Sequence, residues 1–231
     1  MSRHWKSILC CLCVSATWPC ATGAEDLKPF DDVPNWGVVV DPVGDCKFSL
    51  NQKVLSITVP GEYHDLWPTG GKVNAPMVLQ DVAGDFTVEV TVRDVTQAQP
   101  GTMIAGLNSK SVFHAGTLMI WQDSKSFARF DRSDMHKDGR AFNTCYWQAY
   151  KAGERKALES RLVKNQPTHL RLQRRTGSVV ASYSEDDGKS WQSFPELSIT
   201  FPDKIKVGVA ALNNSTDVTK ARFADFQLLA E

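Results

Sequence analysis

Apolar and polar side chains alternate along this chain in short runs. The clearest run is Asp85–Arg93 (DFTVEVTVR), which puts Phe86, Val88, Val90 and Val92 on one face and Thr87, Glu89 and Thr91 on the other. A period of two marks a half-exposed strand of an antiparallel sheet. Lys53–Val59, His169–Arg174 and Arg222–Leu229 repeat the pattern, the last with an irregularity around Asp225 and Phe226. Leu118–Trp121 and Phe127–Arg132 flank the turn cluster QDSKS, which predicts a hairpin. Ile205–Leu212 is almost wholly apolar and predicts a buried central strand. Only Ala149–Val163 has helical composition; Gly153 and the lack of an N-cap favour a loop-and-strand excursion there. Two stretches break the rhythm and read as long loops: Pro60–Pro76 (PGEYHDLWPTGGKVNAP) and Asp131–Asn143 (DRSDMHKDGRAFN). Many short strands and little helix predict an all-β chain, a sandwich or jelly roll. Binding residues on such scaffolds concentrate in the long loops.

One turn is unusually explicit. Ser184–Trp191 (SEDDGKSW) fits Ser-x-Asp-x-Gly-x-x-Trp at every fixed position. A short Asp accepts bonds from turn amides, Gly188 supplies a positive φ, and Trp191 folds back over the turn. Its acids are therefore expected to serve the turn or face water, not to react.

The first residues read as a secretory signal over 1–24. Arg3 and Lys6 precede an apolar stretch from Ser7 to Trp18, and Ala21–Ala24 offers small residues for cleavage. The stretch is too short for the ~20 residues of a spanning helix. The chain is thus expected in the periplasm or outside the cell, without membrane insertion once the signal is removed. Residues 25–35 read as a mobile mature extension and 36–231 as one sandwich domain. Cleavage removes Cys10, Cys11, Cys13 and Cys20 and leaves Cys46 and Cys145. An oxidising compartment predicts a disulfide between these two, worth roughly 4–5 kcal/mol by the loop-entropy rule. The full chain balances 26 basic against 26 acidic side chains. It has no basic stripe for nucleic acid and no polybasic run for a membrane surface.

Gly84–Val92, the turn at Ser184–Trp191, Lys206–Asn213 (KVGVAALN) and Ala221–Phe226 (ARFADF) occur in an order that resembles the concanavalin A-like lectin/glucanase superfamily. Within it the chain looks like a bacterial family of unknown function, sometimes labelled regulation of enolase protein. It is similar also to the C-terminal sandwich of some β-xylosidases. No residue here supports an enolase-directed role. The resemblance implies a jelly roll of two curved antiparallel sheets, with sugar ligands on or beside the concave one. The family carries Asp-aromatic-Trp before its first long strand. Here Asp65-Leu66-Trp67 puts Leu66 at the aromatic position, so no stacking role transfers to it.

A sugar ring offers an apolar C–H face to a flat aromatic and hydroxyls to polar neighbours. Trp67, Trp121, Tyr146 and Trp147 are the stacking candidates, and His64, Asp65, Arg129, Arg132 and Arg140 the polar ones. Trp36 and Trp191 are assigned to packing. Glycoside hydrolysis needs two placed carboxylates, and no Glu-x-Asp-x-x-Glu run supplies them. A hydrolase or lyase would have to recruit Asp65, His64 or Asp131. The chain contains no Gly-x-Ser-x-Gly elbow, no closely spaced histidines of a zinc motif and no phosphate loop. No cofactor is expected; Asp123, Asp217 and Asp225 are available to a structural calcium ion. The reading is a non-catalytic secreted module for a glycan or another extracellular ligand. Its rivals are a sugar-cleaving enzyme and a structural or partner-binding envelope protein, the last predicting an exposed apolar patch.

Overall fold

The computed structural model describes residues 25–107, 109 and 111–230, so the expected signal segment lies outside the described residues. The chain begins with β1 (Glu25–Leu27), β2 (Asp32–Val33), β3 (Gly37–Val40), β4 (Lys47–Asn51) and β5 (Val54–Val59). Pro60–Pro76 then holds β6 (Leu66–Trp67), a 3-10 turn at Pro68–Gly70 and β7 (Lys72–Val73). The long strands follow: β8 (Met77–Ala83), β9 (Phe86–Val95), β10 (Ser111–Asp123), β11 (Ser126–Lys137), β12 (Arg140–Lys151) and β13 (Glu154–Val163). The last are β14 (Thr168–Arg175), β15 (Ser178–Ser184), β16 (Gln192–Ser193), β17 (Leu197–Ser198), β18 (Lys204–Asn213) and β19 (Thr219–Ala230).

Two large antiparallel sheets form an all-β sandwich. The back sheet runs β1-β4-β5-β19-β9-β14-β15-β16, with β17 also on β15; the front sheet runs β13-β12-β11-β10-β18-β8-β3-β2. The expected strands are all present. The turn cluster after Trp121 becomes the β10–β11 hairpin, with Trp121 opposite Phe127. The irregularity near Asp225 is a register shift between Ala224 and Gln227, with Asp225 at φ 54°. At the Ser184 turn, Ser184 Oγ accepts the amides of Asp186 and Gly188 at 3.3 and 3.0 Å, and Gly188 sits at φ 77°. Hydrogen bonds from Ser190 and Ser184 hold Asp186 down at about 2. Trp191 donates Nε1 to Gly188 O, and the Arg171 guanidinium covers its ring at 3.5 Å.

Three expectations change. Residues 25–35 are not a free extension: β1 pairs β4, β2 pairs β3, and Val33 is fully buried. Asp131–Asn143 is not a long loop but two strands joined by a tight turn at Asp138-Gly139, both with positive φ. Cys46 and Cys145 are free thiols rather than a disulfide. Cys46 precedes β4, near one end of the back sheet, while Cys145 lies on β12, near the opposite end of the front sheet. The two sheets pack in register, β5 against β18 and β14 against β10 and β11. Strand spacings of ~4.8 Å across that width exceed the ~7 Å Cα separation a disulfide can span. Burial pushes both thiols up.

The main core lies between the sheets. Front-sheet residues Leu118, Ile120, Phe130, Cys145, Trp147 and Val209 meet back-sheet residues Val88, Val90, Leu170, Leu172 and Phe223. Phe130 stands edge-on to both Trp147 and Phe194. A second core lies on the outer face of the front sheet. Met77, Leu79, Ala115, Met119, Phe127, Tyr150, Ala210 and Leu212 are buried there with Leu66 and Ala75 of the Pro60–Pro76 segment. That segment is therefore a cover, and Leu66 departs from the aromatic pattern because it plugs this second core at 0% exposure.

Candidate functional site

The covering segment stops short of the β11–β13 side of the front sheet, and a cleft of about 270 Å³ opens there. Tyr63, Asp65 and Trp67 line it from the segment, Arg129, Ser133 and Met135 from β11, Tyr146 and Gln148 from β12, and Arg155 from β13. Phe113 and Asn214 close the far end with Leu107, Ser109 and Ser111. Strand parity explains the selection. On β11, Phe127, Arg129, Asp131, Ser133 and Met135 share the outer face, while Ala128, Phe130 and Arg132 turn inward.

The floor is a buried charged triad. Arg129 Nη1 donates to Asp65 Oδ1 at 2.6 Å and to Leu66 O at 3.1 Å. Its Nε lies 3.4 Å from Asp131 Oδ2, without hydrogen-bond alignment. Asp131 Oδ1 accepts the Thr117 hydroxyl at 2.9 Å. Burial raises Asp131 to about 6, against the opposing pull of Arg129 and Thr117. Arg129 itself is held charged by Asp131 and Asp65 despite its burial. Asp65 is positioned by the segment's own bonds. Its amide donates to Asn74 Oδ1 at 3.1 Å, Asn74 Nδ2 donates to Tyr63 O at 2.8 Å, and Asp65 Oδ2 accepts the Tyr63 hydroxyl at 3.1 Å. Burial, then the Asp65 carboxylate, push the Tyr63 phenol up, so it stays a donor. Trp67 folds over its own 3-10 turn, where a Cβ on Gly70 would meet the indole at 2.2 Å.

The structure brings together Asp65, Trp67 and Arg129 of the expected ligand residues, and Tyr146 with them. The other five lie elsewhere. Trp147 turns into the main core at 1% exposure, and Arg132 turns inward to donate to Asn165 Oδ1 at 2.9 Å. Arg140 sits exposed beside the β11–β12 turn. Trp121 stacks on Phe127 at 5.3 Å, on the same face but outside the cleft. His64 is buried and bonded to Asp45. The cleft adds Tyr63, Gln148 and Arg155, which composition did not single out. Parity would have found Gln148 once Tyr146 was considered; Tyr63 had no signal beyond lying two residues before Asp65. The calcium candidates do not converge. Asp123 caps its own hairpin, Asp225 accepts the Thr91 hydroxyl in the bulge, and Asp217 lies in the β18–β19 connection.

No protein-family model and no curated protein sequence matches the chain. Solved structures do. A functionally unknown protein from Saccharomyces cerevisiae superposes with a TM-score of 0.63 at 16% identity, over 85% of this chain and 97% of that one. The GH43 BlXynB protein from Bacillus licheniformis gives 0.57 at 14% identity, over 93% of this chain and 40% of that one. A xylan β-1,4-xylosidase from Bacillus halodurans C-125 gives 0.50 at 12% identity, over 88% and 40%. The chain thus spans about two-fifths of the length of the two Bacillus chains. These likenesses establish the class: a β-sandwich of the kind found in GH43 proteins.

Proposed function

We propose that the chain is an exported, non-catalytic sandwich of the bacterial family named above, and that it binds a carbohydrate in the cleft at Asp65, Trp67 and Arg129. The observation that carries this reading is the pairing of half-buried aromatic rings (Tyr63, Trp67, Tyr146) with fixed polar groups around one opening. Flat rings take the C–H face of a pyranose and the exposed Arg155 meets its hydroxyls, while the buried Asp65 and Gln148 hold the floor beneath them. The volume is near the small end of the roughly 300–1,000 Å³ of ligand sites, which suits one or two sugar units. A hydrolase would need a second carboxyl facing the sugar. Asp131 is the nearest candidate, yet it is 1% exposed beneath Arg129 and committed to Thr117.

The test is a glycan array followed by calorimetry on the hits, with xylo-oligosaccharides included. Saturable binding that falls at least about tenfold in Trp67→Ala and in Asp65→Asn supports the proposal. An array with no hits, or binding indifferent to both changes, overturns it. Release of reducing sugar that Asp131→Asn abolishes would replace it with the hydrolase reading.

A further inference from the structure

A second cluster lies behind the cleft wall. Asp45 and Cys46 end the turn between β3 and β4, and His64 follows β5. His64 Nε2 is 3.0 Å from Asp45 Oδ1, and Cys46 Sγ is 3.3 Å from the same oxygen. One donor atom from each residue falls within 4.8 Å of the others.

From this geometry we propose a transition-metal site, a Zn²⁺ site held by Asp45, Cys46 and His64. Donors around a tetrahedral Zn²⁺ at ~2.0–2.3 Å stand between about three and four ångströms apart, so a cluster whose donors lie within 4.8 Å closes on the ion by a side-chain shift of about an ångström. The imidazole is already oriented. Its Nδ1 lies 3.1 Å from Glu62 O, and a carbonyl only accepts, so Nδ1 carries the proton. Nε2 faces the Asp45 carboxylate at 3.0 Å, so the ring is already turned with that nitrogen towards the other two donors. A backbone carbonyl on the far ring nitrogen is the usual outer partner of a metal-bound histidine.

The scaffold is rigid on both sides. Asp41 accepts the amides of Gly44 at 3.0 Å and Cys46 at 2.9 Å, fixing the turn that presents Asp45 and Cys46. His64 exchanges two backbone bonds of 2.9 Å with Asn213 at the end of β18. A sulfur and an imidazole exclude calcium and magnesium as preferred occupants and favour Zn²⁺ among available divalent ions. Three protein ligands leave a fourth position for water. The site needs no sugar in the cleft and stands independently of the proposed function.

Reduced protein stripped with a chelator would be titrated with Zn²⁺ and with Co²⁺. We expect one equivalent to bind, a rise in melting temperature, and a near-ultraviolet thiolate-to-cobalt band. Cys46→Ser should abolish the band, and Cys145→Ser should keep it. Cys46→Ser and Asp45→Asn should each weaken Zn²⁺ by at least the roughly 10- to 100-fold that loss of even an outer partner costs. Asp45 is partly exposed, so its variant keeps the fold if the buried His64→Gln does not. Absence of saturable Zn²⁺ binding, undiminished binding in both variants, or a band that follows Cys145 overturns the proposal.

Discussion

The two faces of the front sheet are both buried, but by different means. The inner face is closed by a second sheet and is apolar along the middle of its strands. The outer face is closed by one irregular segment and buries a carboxylate–guanidinium–carboxylate triad beside Met119 and Phe127. Apolar packing is sufficient to hold a sandwich. A buried ion triad is not needed for that, because matched apolar groups are often as stable or more so. Charge is not confined to the outer face, since His114, Arg132 and Asp134 are buried on the inner one towards the strand ends; what sets the triad apart is that it floors a cleft.

The comparison can be broken first on the inner face. Phe130→Ala removes a ring packed edge-on to Trp147 and Phe194 and should cost about 3–5 kcal/mol in urea denaturation. It should leave the outline of the cleft unchanged in a crystal structure. On the outer face, Arg129→Met leaves two buried acids unpaired and should cost about 3–5 kcal/mol near neutral pH. The triple variant Asp65→Leu, Arg129→Met, Asp131→Leu should recover most of that stability and fail to bind any glycan that the array identifies for the parent. Recovery of binding as well would show that the triad serves packing alone.

Proton linkage sharpens the contrast further. Asp131 is raised from 3.8 in the unfolded chain to about 6 in the folded one. Between these values the folded state holds the extra proton, so stability falls as pH rises from about 4 to about 6. The full change is on the order of 2–3 kcal/mol, and Asp131→Asn should flatten that part of the profile. Phe130→Ala on the inner face should leave that slope unaltered, since it removes no titrating group. The smallest effect belongs to Trp121→Ala, which loses one stack on Phe127 and should cost roughly 1–2 kcal/mol. Ligand affinity in the cleft should be unaffected; a tenfold loss would extend the site along the sheet.

The same contrast explains what the sequence disclosed. Strands that carry apolar side chains on one face and polar ones on the other announce themselves by alternation, and β9 and β14 were legible for that reason, even though Thr87 and Thr91 of β9 are themselves buried. Strands buried on both faces lose the alternation, so β10 and β18 read as apolar runs with no hint of a second core outside them. The candidate residues failed by parity. Arg129 and Arg132 are three apart, and Tyr146 and Trp147 are adjacent; a period of two puts each pair on opposite faces. Asp131–Asn143 looked like a loop because a long polar strand hides its charges in pairs and turns. The cluster of Asp45, Cys46 and His64 has no local spacing to detect, since the β4–β5 hairpin separates its members along the chain. Fold was readable from periodicity; the site required knowing which loop lands on which face.

The covering segment leaves a constraint on how this protein can change. Leu66 and Ala75 are committed to the second core with one side of Trp67 packed against it, and Asn74 and the Tyr63 hydroxyl to holding Asp65, whereas Lys72 is exposed, with its ammonium over the Tyr63 ring at 5.7 Å. Divergence toward new ligands is thus confined to a few outward positions. Wholesale exchange of the segment would strip the roof from an apolar surface and invite aggregation before any new specificity could be selected.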